Sequence, residues 1–408
     1  MAEGARDIGP ASGKVRATGA VFTPNVIALG VVSLLTDFSS EMIYPLLPLF
    51  LTRVLGAGPA FVGLIEGVAE STASFLKLAS GWVSDRWRRR KGLVLGGYAL
   101  SSCVRPLVAA ATAPWHVLGI RFVDRVGKGI RTSPRDALLA DSTDSDHRGR
   151  AFGFQRAMDH LGAAIGPLVA SGLLYGLEWD MRAVFWAAAV PALLSILVLG
   201  ARVTEVPPHP HGPVGGPKPA LGAMFSSPPP FRRYLLVVVL FTLGNSSDAF
   251  LLLRAQEVGI TAAALPILWA ALHVVKSATS TPLGGLSDRW GRPRVIRLGW
   301  VLYAAVYAGL AVAGGPVTLW ALVLAYGVYY GLTEGVERAL VADLVPSAAR
   351  STAYGWFHTA VGLAALPASV LAGALWQALG SAWAFGFGAA LALAAAALLQ
   401  IALRPQEG

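Results

Sequence analysis

A chain of 408 residues with 55% hydrophobic and 14% charged residues and a mean hydropathy of +0.58 is too apolar for a soluble protein of its size. Its formal charge of +10 is concentrated in particular connectors, so it reports topology before it reports an acidic partner, and no nucleic-acid partner is expected. The single cysteine, Cys103, excludes an internal disulfide, and the seven histidines show no metal-holding spacing; neither a metal nor a cofactor is expected.

In chain order, residues 1–23 are polar and Gly-rich and lack a short apolar run with a cleavage site, so they read as a tail and not as a signal peptide. A bilayer-spanning helix needs about 20 apolar residues. The chain holds twelve such stretches, at roughly 24–52, 60–84, 92–112, 114–139, 151–175, 182–201, 233–253, 262–284, 295–313, 317–342, 352–376 and 381–403. They form an amino-terminal six-helix bundle, 24–201, and a carboxy-terminal one, 233–403, with a short tail at 404–408. Residues 202–232 form the linker; its Pro- and Gly-rich run from Pro207, with His209 and His211, cannot build a packed core.

Arg and Lys fill alternate connectors: Arg86 to Lys91 after span 2, Arg148 and Arg150 after span 4, Lys218, Arg232 and Arg233 after span 6, Arg289 to Arg294 after span 8, and Arg350 after span 10. The positive-inside rule then puts both termini in the cytoplasm, with the chain in a bacterial inner membrane.

The halves are repeats. Gly81-Trp-Val-Ser-Asp85-Arg86-Trp87 returns as Gly284-Gly-Leu-Ser-Asp288-Arg289-Trp290, at an offset of 288 − 85 = 203. Arg135 to Asp141 aligns with Glu337 to Asp343, and Arg148 to Gly153 with Arg350 to Gly355, both at an offset of 202. Parallel repeats of six helices predict an all-α membrane protein of two bundles related by a pseudo-twofold axis along the membrane normal.

Charges inside a bilayer are costly, so those within spans are expected to face a cavity and to have partners. Asp37 and Glu41 in span 1, and Glu66 and Glu70 in span 2, stand at i, i+4. Span 4 carries Arg121, Asp124, Arg125, Lys128, Arg131 and Arg135 at steps of three and four, a charged stripe no lipid-facing helix tolerates. Arg105 in span 3 and Arg156, Asp159 and His160 in span 5 add to the set. The second half has fewer: Asp248, Arg254 and Glu257 near span 7, His273 and Lys276 in span 8, Glu334, Glu337 and Arg338 in span 10, and His358 in span 11. Aromatic residues there, Trp269 and Tyr330 among them, are candidates for the wall of a pocket, with helix packing as the alternative.

With these features the chain resembles the major facilitator superfamily over nearly its whole length. The superfamily's loop signature, Gly-x-x-x-Asp-Arg-x-Gly-Arg-Arg, is matched by Gly81, Asp85, Arg86, Arg89 and Arg90, with Arg88 where Gly is usual; the second copy has Asp288, Arg289, Gly291 and Arg292. The resemblance implies a gating latch on one face of the pore. Gly153, Gly162, Gly166 and Pro167 fall at the spacings of the span 5 signature of proton-driven efflux members, although its last pair is relaxed to Ala170-Ser171. Span 11 reads Gly355, Ala364, Ala368 and Ser369 at the equivalent places, so this signature belongs to the first half alone. Arg125 and Gly129 fit the span 4 pattern whose arginine is implicated in proton coupling, but Lys128 and Arg131 depart from it.

A coupling group must take up a proton and release it as the cavity changes sides, which suits a carboxylate that is desolvated and then approached by a cation. Asp37, Glu41, Asp124 and Asp159 are the candidates, with Asp37 or Glu41 favoured because span 1 lines the cavity in this superfamily. Fixed ion pairing is the alternative for any one of them. Glu66, Glu70, Arg105, Arg125, Lys128, Arg131, Trp269 and Tyr330 are the candidates for cargo or cavity contacts. The resemblance implies a monomeric transporter that exports a small organic solute or drug in exchange for protons; uptake or exchange of an organic anion on the Arg/Lys cluster is the alternative. No Gly-x-Ser-x-Gly, His-Glu-x-x-His or phosphate-binding Gly-Lys-Ser/Thr motif is present, so an enzyme is not expected.

Overall fold

A computed structural model of the chain describes residues 21–57, 59–206, 227–261 and 264–403. The run 207–226, with His209, His211 and Lys218, and the outer parts of both tails lie outside the described residues. Twelve helical rods stand among the described residues: α1 (Pro24–Val54), α3 (Lys91–Ala110), α5 (Ser145–Gly176), α6 (Met181–Arg202), α7 (Pro229–Glu257), α9 (Arg292–Val312), α10 (Pro316–Leu344), α11 (Ser347–Leu379) and α12 (Ser381–Ala402), together with α2 (Pro59–Trp87), α4 (Pro114–Asp141) and α8 (Leu265–Trp290). Their ends lie within several residues of the stretches read from hydropathy.

Nine of these rods are long and apolar enough to cross a membrane by composition alone. The other three, α2, α4 and α8, carry the repeated cassettes and the charged stripe. Much of that stripe points inward: Arg121, Asp124, Arg125, Arg131, Arg135 and Asp136 of α4 are all buried. Packing partners, not apolar composition, make such a helix compatible with a bilayer.

The contacts between rods repeat. In the first bundle α1 packs on α5 and α6, α2 on α4, and α3 on α4 and α6; in the second α7 packs on α11 and α12, α8 on α10, and α9 on α10 and α12. Adding six to each label of the first set gives the second. The seam obeys the same rule, because α5 packs on α8 and α10 while α11 packs on α2 and α4. The first rod of each half is also interrupted at a comparable depth, α1 at Tyr44–Leu46 and α7 at Asn245–Ser247. Pro45 lies within the first break, where a residue without an N–H cannot continue the helical ladder.

Glycine sets how close the bundles come. A Cβ at Gly149 or Gly153 of α5 would overlap the carbonyl oxygen of Gly284 or Ser280 of α8, and one at Gly81 of α2 would overlap that of Ser351 of α11. These positions place backbone against backbone across the seam. Gly149→Val is expected to lower stability by about 1–3 kcal/mol by overpacking the seam. Gly92→Val, at a site where a Cβ meets nothing within 4 Å, serves as its control. Thermal unfolding of the two variants in detergent checks the difference, and equal midpoints would refute close approach as the reason for Gly149.

Candidate functional site

At one face of the molecule the two cassettes close on the opposite bundle. Asp85 of α2 accepts the backbone N–H groups of Ser351 at 3.2 Å and Thr352 at 2.7 Å, at the start of α11. Asp288 of α8 accepts those of Gly149 at 2.8 Å and Arg150 at 2.9 Å, at the start of α5. Each carboxylate thus caps a helix whose first amides have no partner of their own and whose dipole favours a negative charge. Arginines complete the latch. Arg90 lies 3.5 Å from Asp85 and pairs with Asp141, which also takes Arg350 from the other bundle. Arg292 lies 2.7 Å from Asp288 and pairs with Asp343, which takes Arg148 of the first bundle at 2.7 Å.

The cassettes differ by one residue where they turn. Gly291 has φ 87° and Arg88 has φ 53°, so both chains reverse through the left-handed region, with Arg88 occupying a conformation that glycine adopts without strain. The inserted residue makes Arg90, not Arg89, the partner of Asp85. Arg86, Arg89 and Arg289 of the expected gating set are exposed and stay outside the latch; Arg86 lies over the Trp82 ring at 5.7 Å.

Inside the first bundle, the glycine stripe of α5 seats α1. A Cβ at Gly162 would stand 2.9 Å from the Phe38 amide nitrogen and 3.2 Å from the Asp37 Cβ; one at Gly166 would stand 2.8 Å from both the Phe38 carbonyl oxygen and the Glu41 Cβ. Pro167 lies within the same helix, which passes into a wider π turn at Gly172–Gly176. Asp37 and Glu41 are brought together here, with Lys128 within electrostatic reach of both. Arg156 and Asp159 of α5 lie on the Asp37 side, and Arg105 and Arg125 on the Glu41 side. Asp159 pairs with Arg156 at 2.7 Å and accepts from the Gln155 amide at 3.0 Å.

Asp124 stands in a different setting. It takes Arg105 at 3.1 Å, the Tyr44 hydroxyl at 2.5 Å and Arg121 at 3.7 Å. The guanidinium carbons of Arg121, Arg105 and Arg125 lie 4.2, 5.7 and 5.7 Å from the centre of the Tyr44 ring. Arg131 turns away to stack on Tyr98 of α3, 4.1 Å from the ring centre, so it is not brought to the Asp37–Glu41 group. The side chains of Glu66 and Glu70 lie outside the described ones.

In the second bundle Trp269 and Tyr330 are brought together around Lys276, and Tyr330 donates its hydroxyl to Asp248 at 3.2 Å. Tyr303, Tyr307, Tyr326 and Tyr329 are buried against one another behind them.

A bridge between the bundles was not among the site residues expected from sequence. Asp136 of α4 receives Arg135 at 2.8 Å from its own helix, and His358 of α11 at 2.8 Å and Arg338 of α10 at 3.6 Å from the other bundle. Glu334 of α10 receives Arg156 at 3.3 Å and His160 at 2.9 Å from α5, and Arg338 at 3.5 Å. The repeat register held the clue, since 338 − 136 and 358 − 156 are both 202. Asp136 thus meets its own repeat mate, of opposite charge, across the pseudo-twofold.

The family model described as Major Facilitator Superfamily matches residues 29–272 and again 245–408. The chain belongs to the major facilitator superfamily (MFS). It is a multi-pass membrane transporter of that family. It is 35% identical over 381 residues to an uncharacterised MFS-type transporter of Methanocaldococcus jannaschii, covering 92% of this chain and 94% of that one. An uncharacterised protein of Mycobacterium tuberculosis is 31% identical over 356 residues, 86% of each chain. The multidrug resistance protein MdtH of Yersinia enterocolitica is 24% identical over 339 residues, 81% of each. The solved E. coli fucose:proton symporter FucP aligns with a TM-score of 0.76 at 15% identity, over 93% of this chain and 98% of that one, a likeness of fold alone.

Removing one partner of a buried ion pair typically costs about 3–5 kcal/mol, whereas the intact pair contributes little net stability. Asp136→Arg is therefore expected to lower the thermal midpoint sharply in this MFS protein, and adding Arg338→Asp to restore part of it. A double variant no more stable than Asp136→Arg alone would show that the two side chains do not interact across the seam.

Proposed function

We propose that the chain is a proton-coupled secondary active transporter working by alternating access, which exports a small organic solute or drug in exchange for protons. The latch face and both termini would lie on the cytoplasmic side of a bacterial inner membrane, and the conformation described above would be the one closed to the cytoplasm. A monomer suffices, since each bundle supplies the other's partners within one chain. The observation that carries this reading is the seating of Asp37 and Glu41 by Gly162 and Gly166, opposite Lys128. The signature glycines thereby fix two carboxylates at a helix contact, beside a cation whose approach or withdrawal decides whether they hold a proton. Asp124, already engaged by Arg105, Arg121 and Tyr44, suits a fixed structural pair, and Asp159 shares Arg156 with Glu334. The resemblance to a protein named for multidrug resistance agrees with export.

A second reading, uptake or exchange of an organic anion, is favoured by the three guanidinium groups gathered around Tyr44 with Asp124 as their acidic partner. Lys128→Met separates the two. Selective loss of anionic cargo supports the anion reading, and equal loss of all cargo supports a coupling role.

Proteoliposomes carrying a pH gradient give the main test. Cargo is expected to move against an imposed proton flow, and Glu41→Gln or Asp37→Asn is expected to abolish proton-driven exchange while cargo binding persists. Cargo flux that neither moves protons nor responds to the gradient in the natural protein would refute proton coupling.

A further inference from the structure

Lys276 of α8 brings an ammonium group into the second bundle, where its side chain is only 4% exposed. Its Nζ lies 3.5 Å from the centre of the Tyr330 ring, 5.7 Å from that of Trp269 and 6.0 Å from that of Tyr326. The Asp248 carboxylate stands 3.6 Å away, longer than the ~2.7–2.9 Å of a charge-assisted hydrogen bond. That carboxylate is held in place by the hydroxyls of Tyr326 at 2.7 Å and Tyr330 at 3.2 Å.

Aromatic faces and a fixed carboxylate around a cation form the kind of cage that recognises amines and quaternary ammonium ions. The arrangement does not depend on the lysine for its shape. Asp248 is oriented by tyrosine hydroxyls, and Tyr326 is locked among the rings of Tyr303, Tyr307 and Tyr329. Lys276 itself is a flexible four-carbon stem with a single charge at its tip. The cage is also within reach of an incoming molecule. Trp269 and Tyr330 are only partly buried, the Asp248 side chain is 24% exposed, and His160 of the first bundle lies 6.2 Å from the Tyr330 ring. Glu334, 21% exposed and one turn along α10 from Tyr330, adds negative charge nearby while pairing with Arg156, His160 and Arg338. The charged and titratable groups around Lys276 are Asp248 from α7, Tyr326, Tyr330 and Glu334 from α10, His160 from α5 and His273 from its own helix.

We propose that this cage is a cargo site for an organic cation, an amine or quaternary ammonium joined to an apolar body, and that Lys276 is a tethered occupant which the cargo displaces. The proposal deepens the export reading and rests on it. One positive charge leaves the rings as another arrives, so Asp248 keeps a counter-ion throughout, and the apolar body of the cargo covers the faces of Trp269 and Tyr330. The Asp248 carboxylate beside Lys276 favours a cationic over an anionic occupant of the cage.

Equilibrium binding of tetraphenylphosphonium to the purified full-length chain, without a proton gradient, tests the proposal. Lys276→Met keeps the volume of the stem and removes the competitor, so affinity is expected to rise on the order of tenfold. Adding Tyr330→Leu or Asp248→Asn to Lys276→Met is expected to abolish that gain. Lys276→Gln, with a polar replacement for the buried ammonium, gives the same reading should the methionine variant not fold. Unchanged or weaker binding of the cation by these variants overturns the proposal, as does selective loss of benzoate binding, which would make Lys276 an anion ligand. Because the readout is binding alone, its failure leaves proton-driven flux untouched, and a failed flux experiment leaves the cage intact.

Discussion

Charge pairing across the seam between the two bundles is the constraint on which this fold depends. An ionised side chain cannot be left against lipid, and α4, α5 and α10 between them carry too many to hide singly. Their solution is reciprocal. Asp136 draws Arg338 and His358 from the second bundle, while Glu334 of that bundle draws Arg156 and His160 from the first. Such pairs add little net stability, because the desolvation of both ions offsets their attraction, yet separating one without a replacement is expensive. A seam built this way tolerates only arrangements in which every ion finds a partner. Such a requirement favours a few discrete arrangements of the two bundles over a continuum of intermediate ones.

The latch works on a smaller energy scale. A carboxylate at a helix N-terminus contributes roughly 0.3–1 kcal/mol, rising to about 2 kcal/mol where the site is partly buried. Asp85 and Asp288 each make one such contact, supported by Arg90 and Arg292. Two modest interactions placed symmetrically hold one face shut, and neither is costly to break. The glycines at 81, 149, 153 and 284 serve the same end, because they let helix backbones meet closely enough for a side chain of one bundle to reach the first amides of a helix in the other.

Much of this was legible in the sequence because membrane burial is written in long-range patterns. Twelve apolar stretches, the repeated cassettes and the stripe on α4 depend on composition and spacing, which need no tertiary knowledge. The details that escaped depend on geometry of a few ångströms. Arg89 and Arg90 are equivalent by composition, and only the left-handed turn at Arg88 decides that Arg90 enters the latch. Arg131 belongs to the stripe by spacing, yet rotation of the helix gives it to Tyr98. Asp136 carried no motif; its importance arises from Arg338 at the equivalent place of the other half, a charge inversion visible only when the aligned repeats are read for sign as well as similarity.

The two halves have diverged in chemistry while keeping one geometry. Glu41 and Asp248 follow the matching Ser-Ser pairs of α1 and α7, close to the interruption of each rod, and each has a lysine nearby, Lys128 and Lys276. In the first half the surroundings are guanidinium groups from α3 and α4; in the second they are the aromatic faces of α8 and α10. A carboxylate among several cations is suited to exchanging a proton as those cations shift, and a carboxylate among aromatic rings is suited to holding an organic cation. The pseudo-twofold thus sets two acids facing one seam, and the residues around each acid, not the acid itself, give the two places their different chemistry. The bridge through Glu334, His160 and Arg156 joins the bundles, with Arg156 within electrostatic reach of Asp37 and Glu334 within that of Lys276.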